Sequence, residues 1–319
     1  MKILYLTDTH IRGTNPKYRL DDFASTLRAK LIEVVGLIEA HRVDFVIHGG
    51  DVFDMPSLPL PVAGDFMEIL ARIRVPIYAV AGNHDIYAYN PETLDRTMLG
   101  FLSKLGHFRL LHPGSPVYIE AGGVRVQLSG MHFHYAIDRR DFRMDYCVRK
   151  VNCDFAIHTA HGLLLTRPVA PEIPHTIAEL VAQNTEADLT LGSHAHFGFA
   201  PVTFDGRTVA NPGALVRLSP QPADMQRQPQ VLLIDLTGLK PAYVFVPLAS
   251  ALPGNAVIDA KQANDFTSRE AVLSDYFKGW GSASTLEDVL QDLAERDTLP
   301  RKVRDEAVHR LQRARKGIG

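Results

Sequence analysis

Cysteine is nearly missing from this chain. Of 319 residues only Cys147 and Cys153 are cysteines, too few for a disulfide framework and typical of a reducing compartment. A cytoplasmic location is the expectation. Long apolar runs are missing too: "MKILYLTD" is far shorter than a signal-peptide core, and no later stretch approaches the roughly 20 residues of a membrane span. No membrane partner is expected. Charge of one sign is not in excess either, because 34 basic and 36 acidic side chains leave a net −2. No global basic field advertises nucleic acid, so any DNA contact has to come from a local patch. Internal repeats and low-complexity tracts are also absent.

What the chain does have is histidine, 14 in all, and an apolar fraction large enough for a full core. Short apolar runs alternate with helix-periodic segments, the pattern of an α/β or layered sandwich architecture. "KILYLTD" reads as a first strand. From Asp22 to His41, Phe23, Leu27, Leu31, Val34, Val35 and Ile38 recur at spacings of three and four behind an Asp N-cap, which predicts an amphipathic helix. "VDFVIHGGD" returns as a buried strand, a second helix is predicted over 61–74, "VPIYAVAG" is a third strand, and Pro91 opens another helix. From residue 108 two hairpins are predicted, around Gly122-Gly123 and Asp205-Gly206, so the second half is expected to add an antiparallel layer. A boundary is expected at "LPGN". It divides a core over 1–250 from a helical extension over 255–319, whose first helix opens on Thr285 and Asp288.

The chemistry-bearing residues gather at strand ends: Asp8 and His10, Asp51, Asn83 and His84, His161, then His194 and His196. Layered α/β folds collect ligands beyond the carboxyl ends of their strands, so five separate strand ends would bring these side chains to one rim. Two carboxylates, an amide oxygen and four imidazoles are too many donors for one tetrahedral ion and suit two divalent ions sharing a carboxylate. Phosphate-ester hydrolysis uses such pairs. Any one of these short motifs is common by chance; their order, each after a strand, is not.

The set "TDTH", "GGDVFD", "GNHD", "AH" and "GSHAH" resembles the calcineurin-like metallophosphoesterase superfamily over roughly the first 250 positions, with Ser193 a departure before the last His-x-His. The resemblance implies a four-layer α/β/β/α sandwich and two metals, one held by Asp8, His10, Asp51 and His196, the other by Asp51, Asn83, His161 and His194. It casts His84 as proton donor to the leaving alkoxide or as stabiliser of the transition state, with Asp54 orienting its ring; the alternative for Asp54 is a turn or N-cap residue before "MPSLPLP". Asp85 is left outside the ligand set. His48 and His158 are expected in the core, and His132 and His134 are expected to be structural, with a substrate-facing role as the alternative.

"DTHIRG", "GDVFD", "GNHD" and "NPGALVRLS" look most like the SbcD-type subunit of the SbcCD repair exonucleases, whereas Met55-Pro56 and Asp85 disfavour the protein phosphatases. That resemblance implies manganese-dependent cleavage of DNA and an SbcC-like ABC-type ATPase docked through the C-terminal helices, the tail being those docking helices alone or a reduced cap; a homodimer is also compatible with the chain. Arg139, Arg140 and Arg143 with Arg149 and Lys150, together with Arg12 and Arg167, are compatible with a phosphate-tracking patch and equally with a solvated loop. Tyr135 and Phe142 interleave with these charges and permit base stacking. The basic run from Arg301 to Lys316 could meet an acidic partner or DNA, or be a solvated helix face. A small-diester phosphodiesterase and a non-catalytic scaffold stand as alternatives.

Overall fold

The structure, a computed structural model, describes residues 1–259. The predicted C-terminal helices and the Arg301–Lys316 run lie outside the described residues. In chain order the elements begin with β1 (Lys2–Leu6), α1 (Phe23–His41), β2 (Phe45–His48), α2 (Leu60–Leu70), β3 (Ile77–Ala79), α3 (Met98–Lys104) and β4 (Arg109–Leu110). Then come β5 (Val117–Ala121), β6 (Val124–Met131), α4 (Arg143–Tyr146), β7 (Phe155–Leu165), β8 (Thr176–Ile177), α5 (Ala178–Asn184), β9 (Leu189–Ser193), β10 (Phe199–Phe204) and β11 (Arg207–Asn211). The last are α6 (Pro222–Gln226), β12 (Gln230–Asp235), β13 (Ala242–Pro247) and α7 (Gly254–Val257).

Two sheets face each other. The first runs β13-β12-β1-β2-β3-β4, parallel from β1 to β4 with β12 antiparallel to β1; the second runs β10-β11-β9-β7-β6-β5. Strand pleating sorts the core into layers, because successive side chains leave a strand on opposite faces. In β1, Leu4 and Leu6 meet Phe23, Leu27, Leu31 and Val34 of α1, while Ile3 and Tyr5 meet Val126, Leu128, Phe155 and Ile157 of the facing sheet. Ala160 and Leu164 of β7 pack on Val181 and Ala182 of α5 beyond it. Helix, sheet, sheet and helix thus stack as the expected four-layer sandwich.

Local chemistry explains the element ends. The Asp22 carboxylate accepts the N–H of Ser25 at 2.6 Å and caps α1, and Arg42 ends it in the left-handed region. Where one helix was predicted after Pro91, a 3-10 turn (Pro91–Arg96) comes first, and the Thr97 hydroxyl, accepting the N–H of Gly100 at 3.1 Å, then caps α3. Both predicted hairpins form, with Gly122, Gly123, Asp205 and Gly206 all at positive φ as such tight turns require.

The antiparallel layer is a correction. Only the edge strands β5 and β10 are antiparallel; β6, β7, β9 and β11 run parallel. Hairpins announce themselves locally, whereas the α4 and α5 crossovers that make the middle parallel do not. Past the boundary expected at "LPGN" the chain still touches the core, with the N–H of Leu20 bonded to the Val257 carbonyl at 3.0 Å.

Candidate metal centre

Parallel strands in register end together, and their carboxyl ends carry the polar residues. Leu6 pairs with His48, and His48 with Ala79, so the loops that follow, Asp8 to His10, Gly49 to Asp54 and Gly82 to Asp85, begin side by side. From the facing sheet, alternation in β7 puts Phe155, Ile157, Thr159 and His161 on the inner face, and β9 ends at Ser193, just before His194. Glycine makes the approach possible. A Cβ on Gly82 would collide with the Asp51 carboxylate, and Gly50, at φ +100°, lies against the His161 ring and Gly82.

The ligand atoms of Asp8, His10, Asp51 and His196 lie within 4.8 Å of one another, as do those of Asp51, His161 and His194; Asp51 belongs to both groups. Asn83 joins the second group, its Oδ1 lying 3.3 Å from His161 Nε2. A third group brings His10, Asp54 and His84 together.

Three observations say that this donor set fits divalent cations. First, Asp8 Oδ1 and Asp51 Oδ2 are buried acceptors without a hydrogen-bond partner, a costly state that a cation relieves. Second, imidazole nitrogens face each other or oxygen: His10 Nε2 lies 3.1 Å from His196 Nε2, and His161 Nε2 lies 3.3 Å from Asp51 Oδ2. The Gly49 carbonyl accepts from His161 Nδ1 at 2.8 Å, which fixes the tautomer and leaves the Nε2 lone pair aimed inward. Third, Asp8, His10, Asp51 and His194 all sit at φ between 43° and 63°. Left-handed backbone costs roughly 1–2 kcal/mol per residue, though Asp and His bear it better than most. Strain of this kind collects where ligands must be aimed.

Without a cation the electrostatics are strongly divided. Burial alone would push the Asp51 carboxyl up, but the imidazoles of His161, His10 and His84 outweigh it and hold it well below the usual range. Asp8 goes the other way, raised by burial and by the Asp51 charge against the opposing pull of His161. Burial opposes charging His161, yet Asp51 and Asp8 together lift it to about 9. His194, with burial and then His161 against it, falls to about 4, and His196 falls too, through burial and His10.

Asp54 departs from its expected contact. The ring of His84 is held by the backbone carbonyl of Asp54, 2.9 Å from Nδ1, while the Asp54 carboxylate reaches His10 Nδ1 at 3.4 Å and Arg12 at 2.9 Å. The backbone turn brings the carbonyl inward and sends the side chain to the neighbouring cation. Asp85, left outside the ligand set, is buried and accepts the N–H groups of Phe53, Gly82 and Val52 at 3.0, 2.9 and 3.2 Å.

The expected core histidines behave as such. His48 contacts the Thr9 hydroxyl and the Gly50 N–H, and His158 contacts Ser129 and the Asp145 carbonyl. His132 accepts the N–H of Ala81, and His134 pairs with Asp145 at 3.0 Å.

Part of the basic cluster is already engaged by carboxylates. Arg140 is paired with Asp145, Arg143 with Asp141 at 2.6 Å, and Lys150 with Asp188 at 2.9 Å. Arg139 lies over the Tyr135 ring, 4.7 Å from its centroid, and Arg167 is exposed. Sequence reasoning passed over Phe133, whose ring lies 5.6 Å from that of His194 and 6.2 Å from that of His161. Its position between two histidines was the only signal.

Comparison with known proteins decides the family. Residues 1–198 match calcineurin-like phosphoesterase. The chain belongs to that family. A protein from Methanococcus maripaludis named "DNA double-strand break repair protein Mre11" is 34% identical over 216 residues, 66% of this chain and 55% of that one. Its namesake from Archaeoglobus fulgidus is 25% identical over 265 residues, 77% of this chain and 57% of that one. The chain of this phosphoesterase therefore spans little more than half the length of these curated relatives. Among its described residues no helix is long and apolar enough to cross a membrane.

Proposed function

We propose that this phosphoesterase is a metal-dependent DNA nuclease. The observation that carries the hydrolytic half is the pair of ligand clusters sharing Asp51, each containing a buried carboxylate oxygen without a hydrogen-bond partner. Asp8, His10, Asp51 and His196 would hold one divalent ion, and Asp51, Asn83, His161 and His194 the other. Held there, two such ions supply Lewis-acid activation of a phosphodiester and a nucleophile at neutral pH. Manganese as the ion follows from the resemblance to SbcD-type nucleases, because mixed oxygen and imidazole donors suit several divalent transition metals. His84 is assigned the leaving group: the Asp54 carbonyl fixes Nδ1 as a donor, so Nε2 is the atom that delivers the proton.

DNA as substrate is supported by the names of the two archaeal relatives and by the sequence resemblance to SbcD-type nucleases. A coiled-coil ABC-type ATPase docked through residues 255–319 is proposed on that resemblance alone. One observation favours a small diester instead, since Arg140 and Arg143 already have carboxylate partners and offer little free charge to a phosphate backbone. The two are separated by incubating the manganese-loaded protein with end-labelled linear duplex and, in parallel, with a small aryl phosphodiester or cyclic nucleotide. Shortened DNA is the expected result. Turnover of the small diesters with the duplex left intact would overturn the assignment.

A further inference from the structure

We infer that Phe133, with Tyr89 beside it, forms a stacking platform for an unpaired nucleobase next to the phosphate being cleaved. The inference rests on the nuclease reading and deepens it.

Phe133 is pinned from behind. Its N–H donates to the Ala81 carbonyl at 2.9 Å, and the Ala81 N–H donates to His132 Nδ1 at 2.9 Å, so the backbone around Phe133 is tied to the strand end that delivers Asn83 and His84. His134, on the other side, is engaged by Asp145. Of the three residues "HFH", the phenylalanine alone faces the candidate ligands His161 and His194.

Tyr89 continues that surface. Its ring centroid is 5.4 Å from that of Phe133, at an interplanar angle of 58°, and the residue is 52% exposed. The turn that presents it is specific. Asn90 N–H bonds back to the Tyr87 carbonyl at 3.0 Å, and the central residues Ala88 and Tyr89 have φ of 50° and 58°. A turn with two left-handed central residues normally takes Asn-Gly. Alanine and tyrosine occupy it here under strain. The turn is braced by the Thr93 hydroxyl, which accepts the Tyr87 N–H at 2.9 Å. A strained, braced turn that displays an aromatic ring is expensive to keep for packing alone, because the ring is half in solvent.

The position selects the ligand. A phosphodiester at the metal centre has its attached nucleoside within reach of the adjoining rings, and every base offers a π-face, so stacking there holds DNA without reading its sequence. It also supplies affinity that Arg140 and Arg143, paired with carboxylates, do not.

The experiment uses the full chain and an oligonucleotide with 2-aminopurine in an unpaired terminal stretch. Without added metal, binding is expected to quench the 2-aminopurine fluorescence; Tyr89→Phe keeps the quenching and Tyr89→Leu, similar in bulk but without a π-face, loses most of it. With manganese, the wild type is expected to cleave the base-bearing strand about tenfold better than one with abasic positions, and Tyr89→Leu or Phe133→Leu to bring that ratio near one. Cleavage of DNA with no preference for bases, unaltered in the leucine variants, would overturn the platform and leave the nuclease standing. Quenching that depends on Tyr89 in a protein that cuts no DNA would keep the platform and remove the nuclease.

Discussion

The carboxylate of Asp85 accepts the backbone N–H of Phe53 at 3.0 Å, across 32 residues of chain. Through its bonds to Val52 and Gly82 the same side chain closes the Asp51 loop onto the loop carrying Asn83 and His84. Burial, then the nearby Asp51 charge, pushes its carboxyl up to about 7, so the N–H groups it collects stabilise a side chain poorly placed to be charged. Replacing it by alanine leaves three buried donors without partners, an expected loss of about 2–4 kcal/mol. Urea unfolding of Asp85→Ala should show that loss and calorimetry a weakened metal site. Wild-type metal affinity in this variant would refute the coupling of the two loops.

His84 and Asp51 should fail differently. The backbone N–H of residue 84 donates to Asp51 Oδ1 at 2.8 Å, a bond that His84→Ala retains because it involves no side-chain atom. Metal content by elemental analysis should therefore stay near the wild-type level while turnover falls by roughly two to four orders of magnitude, the usual worth of a general acid. Asp51→Asn removes the oxygen common to both clusters and should deplete metal and activity together. Retained cleavage by His84→Ala would end its assignment as proton donor.

Much of the framework was legible because its signals are local. Period-two and period-3.6 patterns marked the strands and helices, Asp22 marked the start of α1, and "GG" and "DG" marked the hairpins. The strand-end residues that now cluster around Asp51 were legible for the same reason: each follows its own apolar run. What was not legible depends on segments meeting in space. The parallel course of β7 and β9 is decided by crossovers and not by any strand's composition. The pairing of Arg140 with Asp145 and Arg143 with Asp141 neutralises a run that reads in one dimension as a basic patch. Phe133 became visible only when β6 was laid beside His161 and His194.

Asp54 gives a sharper test of geometry against resemblance. Its carboxylate serves His10 and Arg12, and only its backbone carbonyl serves His84. Asp54→Asn should therefore weaken metal affinity, by about tenfold to a hundredfold as for other groups that orient a ligand histidine. Turnover of the metal-saturated variant should stay near the wild-type rate, because His84 keeps its backbone partner. A large loss of turnover in metal-saturated enzyme with unchanged metal affinity would place the carboxylate on His84 after all.

Lys30 places a proton-linked strain behind the end of β1, one residue removed from Thr7 in hydrogen bonding. The side chain is 5% exposed, and its ammonium donates to the Leu215 carbonyl at 2.7 Å, while the Leu215 N–H bonds to Thr7. Burial, followed by the charges of Arg19, Arg227 and Arg217, lowers its pKa to about 7, against only the partial support of Asp21. The unfolded chain keeps this proton up to its ordinary value of about 10.4, whereas the folded chain releases it above about 7. Between those limits the unfolded state binds more protons, so stability must rise with pH, by at most about 1.4 kcal/mol per pH unit from this group. Lys30→Met deletes the titration and leaves other groups alone. Urea unfolding from pH 7 to pH 10 should show the wild type gaining on Lys30→Met as pH increases, whichever is the more stable at pH 7. Parallel stability curves would mean that Lys30 keeps its charge in the fold and that the Leu215 carbonyl, with Asp21, suffices to hold it.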